Sequence, residues 1–315
     1  MGFRRTFGSG MWAAVLLCLG TPSQAQEQLP LRPLPPGKTV FVLQPHHDDH
    51  TTDHGMGGLI ARFVDEGYDV YYLRASNDEK DGTALPAEND KINLREALAA
   101  AKVLGIKEVI NLNWRNDYTA PIPLNELRAQ IIFLIRKYKP DIVVGHNPWE
   151  HYQKNPDHRN VGRAMAEAYW MAGLENVHPE HFLLGVQPHA ASYLIGKARL
   201  DWGLGHRPNV FFELNAEQVR RKQIAYHTHR NVYANPATAR AMRAELARLG
   251  LYLPEWEALD DQEAAVLMEA WHMEWISRQR GRQAGVEFAE DYYFMDEFDH
   301  LPGLKAYLQQ HVRTP

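Results

Sequence analysis

Short apolar runs alternate with helix-like segments along most of this chain, and that alternation restricts its fold more than any other feature. Each run is brief, almost uninterrupted by polar residues and bounded by turn residues, which is typical of strands buried on both faces. Strands separated by helices of about ten residues or more form right-handed βαβ units. The predicted fold class is therefore α/β, with a mostly parallel sheet flanked by helices. The predicted strands are residues 39–43, 70–73, 109–112 and 142–144.

The predicted helices lie between and after these strands, at residues 59–64, 93–104, 127–138 and 160–170. Gly105 follows the second helix, where a glycine commonly ends a helix in the left-handed conformation. The pattern changes beyond Gly196, although residues 210–213 can form a further strand. We assign residues 38–250 to one α/β domain. Residues 251–315 are predicted to form a helical, aromatic-rich C-terminal extension packed on that same domain.

The N-terminus has the pattern of a secretory signal peptide. Arg4 and Arg5 form a basic start, residues 11–20 form an apolar run too short to span a bilayer comfortably, and Ala25 offers a cleavage point. We therefore predict that residues 1–25 are a signal peptide and that the protein is exported to the periplasm or the extracellular space. The paired arginines also fit a twin-arginine signal, so either that route or the general secretory route would serve.

Cleavage after residue 25 would remove Cys18, the only cysteine. The mature chain would then form no disulfide and offer no thiolate, so a bound metal would rely on histidine and carboxylate ligands. Residues 26–37 are rich in proline and polar residues and are predicted to be a linker. The net charge of −5 gives no basic field for nucleic acid, and we expect no stable membrane span once the signal is removed.

Histidine and aspartate are concentrated in the loop after the first predicted strand, where residues 44–50 read Gln-Pro-His-His-Asp-Asp-His. Such a cluster would be costly in an ordinary core. His46 and Asp49, three residues apart on a tight turn, can point to one centre. Asp48, between them, can then face a water molecule and act as its general base.

A second polar loop follows the fourth predicted strand, and His158 lies where the next helix begins. In an α/β sheet the carboxyl ends of the strands share one edge, so His158 can join His46 and Asp49 there. Two nitrogens and one oxygen with an open fourth position suit catalytic Zn²⁺, and another divalent transition metal would also fit. The chain contains no H-E-x-x-H, G-x-S-x-G or P-loop pattern, which excludes the common alternatives.

Two motifs carry a resemblance to a known family. Residues 45–49 (Pro-His-His-Asp-Asp) resemble the A-H-P-D-D motif of the PIG-L/LmbE-like N-acetylglucosaminyl deacetylases, and residues 155–158 (Asn-Pro-Asp-His) resemble their H-P-D-H motif. Further similarity extends over roughly residues 38–292. It includes Arg95 at the start of an alanine-rich segment and Asp117 after the third strand.

This resemblance implies a Rossmann-like fold and hydrolysis of the acetamide of an N-acetylglucosamine-containing glycoconjugate. It implies zinc on His46, Asp49 and His158, with Asp48 as general base. In this family an arginine on the second helix and an aspartate after the third strand bind sugar hydroxyls. The resemblance places Arg95 and Asp117 at these two positions of this chain. The implied partner is a small molecule or glycan that carries an N-acetyl group.

The chain departs from the family pattern at Asn155, where the family has a histidine that steadies the oxyanion and protonates the leaving amine. An asparagine can donate a hydrogen bond to an oxyanion but cannot act as an acid. His151 or His229 are the candidates to replace that acid. Two other functions therefore stay open. One is an exported homologue that binds a metal or glycan without turnover, and the other is an amidase for a different small N-acyl compound.

Overall fold

We analysed a computed structural model of the chain, which describes residues 29–52, 55–116, 123–147, 155–197, 208–233, 236–296 and 301–313. A seven-stranded sheet forms its centre, with strand order β3-β2-β1-β4-β5-β7-β6. Strands β1 to β5 pair in parallel, whereas β7 runs antiparallel to both β5 and β6. The strands are β1 (Thr39–Gln44), β2 (Asp69–Ser76), β3 (Glu108–Trp114), β4 (Ile142–His146), β5 (Tyr193–Lys197), β6 (Val210–Leu214) and β7 (Phe288–Asp296).

Helices cover both faces of the sheet, as predicted for strands that are apolar throughout. On one face Val40 and Val42 pack with residues of α1, α2 and α5, and on the other Phe41 and Leu43 pack with residues of α3 and α4. Successive strand residues point to opposite faces, so one short run supplies both cores. The helices are α1 (Gly57–Asp65), α2 (Pro86–Leu104), α3 (Leu124–Tyr138), α4 (Pro156–Met171), α5 (Ala216–Tyr226), α6 (Pro236–Arg248), α7 (Asp261–Ala284) and α8 (Pro302–His311).

The α/β architecture predicted from the sequence is confirmed. All four predicted strands are present, and Gly105 ends α2 in the left-handed conformation with φ of 81°. Strand β1 lies between β2 and β4, so the order along the sheet reverses at this point. A crevice forms at such a reversal beyond the carboxyl ends of the strands, and it is the usual ligand site of open α/β sheets.

The C-terminal region, predicted to be a helical extension, also contributes a strand to the central sheet. Strand β7 is inserted between β5 and β6, so residues after 250 complete the sheet. Only helices were predicted there, whereas residues 288–296, of which six are buried, form this strand. Helix α7 begins with a capping box in which Asp260 and Glu263 bond reciprocally.

The segment predicted to be a linker is partly paired with the sheet. The backbone N–H of Arg32 donates to the carbonyl of Phe211, and the N–H of Phe211 donates to the carbonyl of Pro30. These bonds cover the outer edge of β6. The predicted signal peptide lies outside the described residues. Among the helices that are described, none combines the length and hydropathy needed to cross a bilayer.

Candidate active site

The loop that follows β1 is a tight turn fixed by its own backbone. The N–H of Thr51 donates to the carbonyl of Asp48, and the N–H of His46 donates to Oδ2 of Asp49 at 2.9 Å. The hydroxyl of Tyr72 in β2 donates a hydrogen bond to the carbonyl of His46 at 2.5 Å. His46, Asp48 and Asp49 are all buried, so this loop presents its polar side chains inward at the strand-order reversal.

The second part of the site comes from the N-terminus of α4. Asn155 is the N-cap, and its side-chain oxygen accepts a hydrogen bond from the N–H of Asp157 at 2.9 Å. Pro156 occupies the first helical turn, where its missing N–H costs nothing. This local geometry places His158 in the first turn of the helix, facing the loop after β1. The ring of His158 stacks on that of His146 with centroids 4.4 Å apart.

Three ligand-type atoms converge between the two loops. His46 Nδ1 lies 3.0 Å from Asp49 Oδ2 and 3.1 Å from His158 Nε2, and His158 Nε2 lies 3.2 Å from Asp49 Oδ1. In a tetrahedral zinc site with bonds of about 2.0–2.1 Å, neighbouring ligand atoms are about 3.3 Å apart. The donor set and its spacing therefore fit Zn²⁺ or a similar divalent transition metal.

The charges around this triangle also suit a cation. Burial opposes ionisation of Asp49, but the adjacent His158 and His46 hold the pKa of its carboxyl well below the usual range. The other ring nitrogen of His46, Nε2, lies 3.2 Å from Oδ2 of the buried Asp157. A carboxylate on the far nitrogen is the usual way that a ligating histidine is oriented. Asp49 thus offers a charged ligand, and Asp157 fixes the ring of His46.

Asp48 lies beside the triangle and is not part of it. Its Oδ2 accepts a hydrogen bond from the Tyr233 hydroxyl, and its Oδ1 lies 3.8 Å from His47 Nδ1. Burial raises the pKa of Asp48, and the nearby Asp49 charge acts in the same direction against the opposing effect of His47. A buried carboxylate held next to a metal-type site can accept a proton from a water molecule there.

The structure does not bring every predicted residue to this place. Arg95 is exposed on α2, so its contact with a sugar stays a prediction. Asp117 and His151 lie outside the described residues, and their roles also stay predictions. His229 faces His47 and His50, with ring centroids 5.1 and 6.0 Å away, and burial holds its pKa well below the usual value. A neutral, enclosed imidazole is a poor candidate for the missing acid.

Sequence reasoning missed one residue that supports the site, Tyr233, and left the role of Asp157 open between two alternatives. Tyr233 follows α5 and has no motif around it that points to Asp48. From its place before His158, Asp157 can either orient a histidine or cap the helix, and the structure pairs it with His46. A tyrosine in the segment after a helix is too common to be informative without the fold.

Comparison with known proteins identifies the family to which this chain belongs. The family model for PIG-L, described as GlcNAc-PI de-N-acetylase, matches residues 41–169, which include the site triangle and Asp48. A diacetylchitobiose deacetylase from Thermococcus kodakarensis is 31% identical over 199 residues, covering 62% of this chain and 70% of that protein. The chain belongs to the PIG-L family. Membership places it among the hydrolases of amide C–N bonds, and homology supports a deacetylase function.

Solved structures extend the comparison to most of the fold. An N,N'-diacetylchitobiose deacetylase from Pyrococcus horikoshii, complexed with an inhibitor, superposes with a TM-score of 0.64 at 25% identity, covering 84% of this chain and 86% of that one. The 4-carboxy-2-hydroxymuconate hydratase GalB from Pseudomonas putida superposes with a TM-score of 0.59 at 19% identity, covering 82% and 96%. Because a hydratase shares the fold, the reaction has to be argued from the site itself.

Proposed function

We propose that this chain is a zinc-dependent hydrolase that removes the N-acetyl group from an N-acetylglucosamine-containing glycoconjugate. The observation that carries the proposal is the triangle of His46 Nδ1, the Asp49 carboxylate and His158 Nε2, with Asp48 beside it. The diacetylchitobiose deacetylases among its relatives support an acetamido sugar as the substrate class. The predicted signal peptide supports export, so the glycan would be periplasmic or extracellular.

His46, Asp49 and His158 would hold the cation. Bound there, it would acidify a water molecule and polarise an acyl carbonyl. The chain's own contribution is to keep three ligands and a base in fixed positions. Asp157 orients the ring of His46, and the β1 loop is closed on itself by the bond from His46 N–H to Asp49.

Asp48 would take the proton from the attacking water. Its carboxylate is held by the Tyr233 hydroxyl, so one oxygen is fixed while the other faces His47 at 3.8 Å. The amide C–N bond then breaks when the leaving amine is protonated. Asn155 cannot supply that proton, and its oxygen is used as the helix cap, so only its amide nitrogen can assist by donating to the oxyanion. We propose His151 for the acid, with Arg95 and Asp117 binding sugar hydroxyls.

The test is acetate release by the purified mature chain after loading with Zn²⁺. The panel would hold N-acetylglucosamine, N,N'-diacetylchitobiose, an N-acetylglucosaminyl glycolipid and a simple non-sugar acetamide. Asp48→Asn removes the base, and Asp141→Asn is the matched control, because Asp141 caps the opposite end of the sheet through the N–H groups of Lys38 and Thr39.

Release from a sugar substrate that is lost in Asp48→Asn and kept in Asp141→Asn supports the proposal. Release from the non-sugar acetamide alone would move the assignment to an amidase of another class. A zinc-replete protein that releases no acetate from any substrate would favour binding without turnover.

A further inference from the structure

A second group of buried histidines lies next to the active site and is not used by the proposed reaction. His47, His50 and His229, here called the inner histidine cluster, are each fully buried. His229 is edge-on to both of the others, with ring centroids 5.1 Å from His47 and 6.0 Å from His50. The cluster joins the loop after β1 to the segment after α5.

The ring nitrogens of this cluster have almost no partners in the part of the chain that the structure describes. Neither ring nitrogen of His47, His50 or His229 has a hydrogen-bond partner there. A buried polar group without a partner is costly, and native proteins nearly always satisfy it. Unpartnered nitrogens on three adjacent buried rings point to a bound ion or water that satisfies them.

Glu96 of α2 supplies a negative charge at the same place. Ligand atoms of His47, Glu96 and His229 all lie within 4.8 Å of one another. Both carboxylate oxygens of Glu96 accept from the N–H of Asn231, at 3.2 and 3.3 Å, which holds the group towards the cluster. Neighbouring ligand atoms of a tetrahedral zinc site are about 3.3 Å apart, so a cation bound there would draw the three side chains closer together.

The ring of His47 lies beside a buried carboxylate. Its Nδ1 lies 3.2 Å from Oδ2 of Asp78, and its backbone N–H donates to the same oxygen at 3.0 Å. Asp78 is itself held by Arg74 at 2.8 Å. Asp157 likewise lies beside one ring nitrogen of His46, which it bonds at 3.2 Å. A carboxylate on one nitrogen fixes the tautomer and makes the other nitrogen a better ligand.

We propose that His47, Glu96 and His229 form a second divalent transition-metal site. Two imidazoles and one carboxylate favour Zn²⁺, Fe²⁺ or Co²⁺ over Ca²⁺ or Mg²⁺, which prefer oxygen ligands. A cation there would tie together three separate elements: the loop after β1, helix α2 and the segment after α5. His47 is the neighbour of His46 in sequence, so this second site would also brace the loop that carries the first.

The experiment counts metal instead of activity. Stripped full-length mature protein is dialysed against buffered Zn²⁺, and bound zinc is measured by mass spectrometry. Wild type is expected to bind two equivalents, and His229→Gln, Glu96→Gln and His158→Gln one each. His189→Gln is the matched control, because that ring bonds the carbonyl of Pro140 at 2.7 Å, away from both sites, and it should keep two.

One equivalent in wild type, abolished by His158→Gln, would overturn the second site while leaving the deacetylase proposal intact. Two equivalents retained in both His229→Gln and Glu96→Gln would overturn the ligand assignment. If His229→Gln fails to fold, Glu96→Gln still decides the matter, because the amide oxygen can keep accepting from Asn231 and only the charge is lost.

Discussion

The hydroxyl of Tyr233 donates a hydrogen bond to Oδ2 of Asp48, although 185 positions separate the two residues in the chain. Both residues are held in a water-poor environment, and burial raises the pKa of Tyr233 well above its usual value. The tyrosine therefore stays protonated and donates to the Asp48 carboxylate. It fixes one oxygen of the proposed base and leaves the rest of the carboxylate to act.

Tyr233→Phe should slow turnover without removing the metal. A hydrogen bond to a charged group contributes about 1.5–3 kcal/mol, so we expect kcat to fall about tenfold to a hundredfold. KM and zinc content should stay near wild type, because Tyr233 contacts the base and not the ligand triangle. Steady-state kinetics and zinc content, measured on the same preparation, test this.

Tyr138→Phe is the control for that experiment. It removes a tyrosine hydroxyl that bonds Glu108 at 2.9 Å on the surface, and its kcat should be unchanged. A Tyr233→Phe enzyme with wild-type kcat would show that Asp48 needs no help from this residue.

Asp157→Asn should weaken metal binding while the fold persists. Asp157 Oδ2 lies 3.2 Å from His46 Nε2, and loss of such an orienting carboxylate usually lowers metal affinity about 10–100-fold. Competition with a chromogenic chelator measures the change. Glu126→Gln removes an acid from the first turn of α3 in the same way but far from the ligands. Equal affinities in the two variants would mean that Asp157 acts only on its helix.

The predicted and the missed features differ in how far apart the contacting residues lie. His46, Asp48 and Asp49 share one loop, and His158 begins a helix after a predicted strand, so local pattern and strand order were enough to group them. Tyr233 reaches Asp48 from 185 positions away, and Asp157 reaches His46 from 111. Such pairs depend on the packing of several elements, which no local pattern encodes.

The position of β7 was missed for a related reason. Six of its nine residues are buried, and it pairs with β5 on one side and β6 on the other. A run of that kind in an aromatic-rich region does not reveal its partners, since antiparallel insertion into a parallel sheet depends on the complete fold. Gly105 shows the opposite case, because a left-handed C-cap needs only its own helix.

Glu290→Gln should destabilise the fold strongly and flatten its response to acid. Oε1 of Glu290 accepts from Lys222 Nζ at 2.8 Å, and Oε2 accepts from the N–H of Leu59 at the start of α1 at 3.0 Å. Gly58 leaves the space that this approach needs, since a Cβ there would collide with Leu214 and Glu290. Losing one partner leaves Lys222 charged and buried, which costs about 3–5 kcal/mol.

The direction in which the pKa of Glu290 is shifted determines how its contribution to stability depends on pH. Burial alone would raise the pKa of Glu290, but Lys222 and Lys197 bring it below its usual value of 4.5. Its contribution is therefore fully present above pH 4.5 and is lost as the pH falls through the lower folded-state pKa. Urea unfolding from about pH 6 to about pH 3 should show a larger loss of stability in wild type than in Glu290→Gln, where Asp49, Asp78 and Asp291 still titrate with lowered pKa values. Glu217→Gln, on an exposed pair with Arg220, should behave as wild type.

Asn155→His should lower the stability of the fold and raise the turnover rate. The Asn155 side chain caps α4 by accepting from Asp157 N–H at 2.9 Å, and loss of an N-cap costs about 1 kcal/mol. A histidine in its place adds the acid of the family pattern to the proposed acid His151, so kcat should rise where amine protonation limits turnover, while the unfolding midpoint falls. Asn155→Ser separates the two effects, because serine keeps the cap without adding an acid. If Asn155→His matches Asn155→Ser in kcat, protonation of the leaving amine is already supplied by another group, and mutation of His151 becomes the decisive experiment.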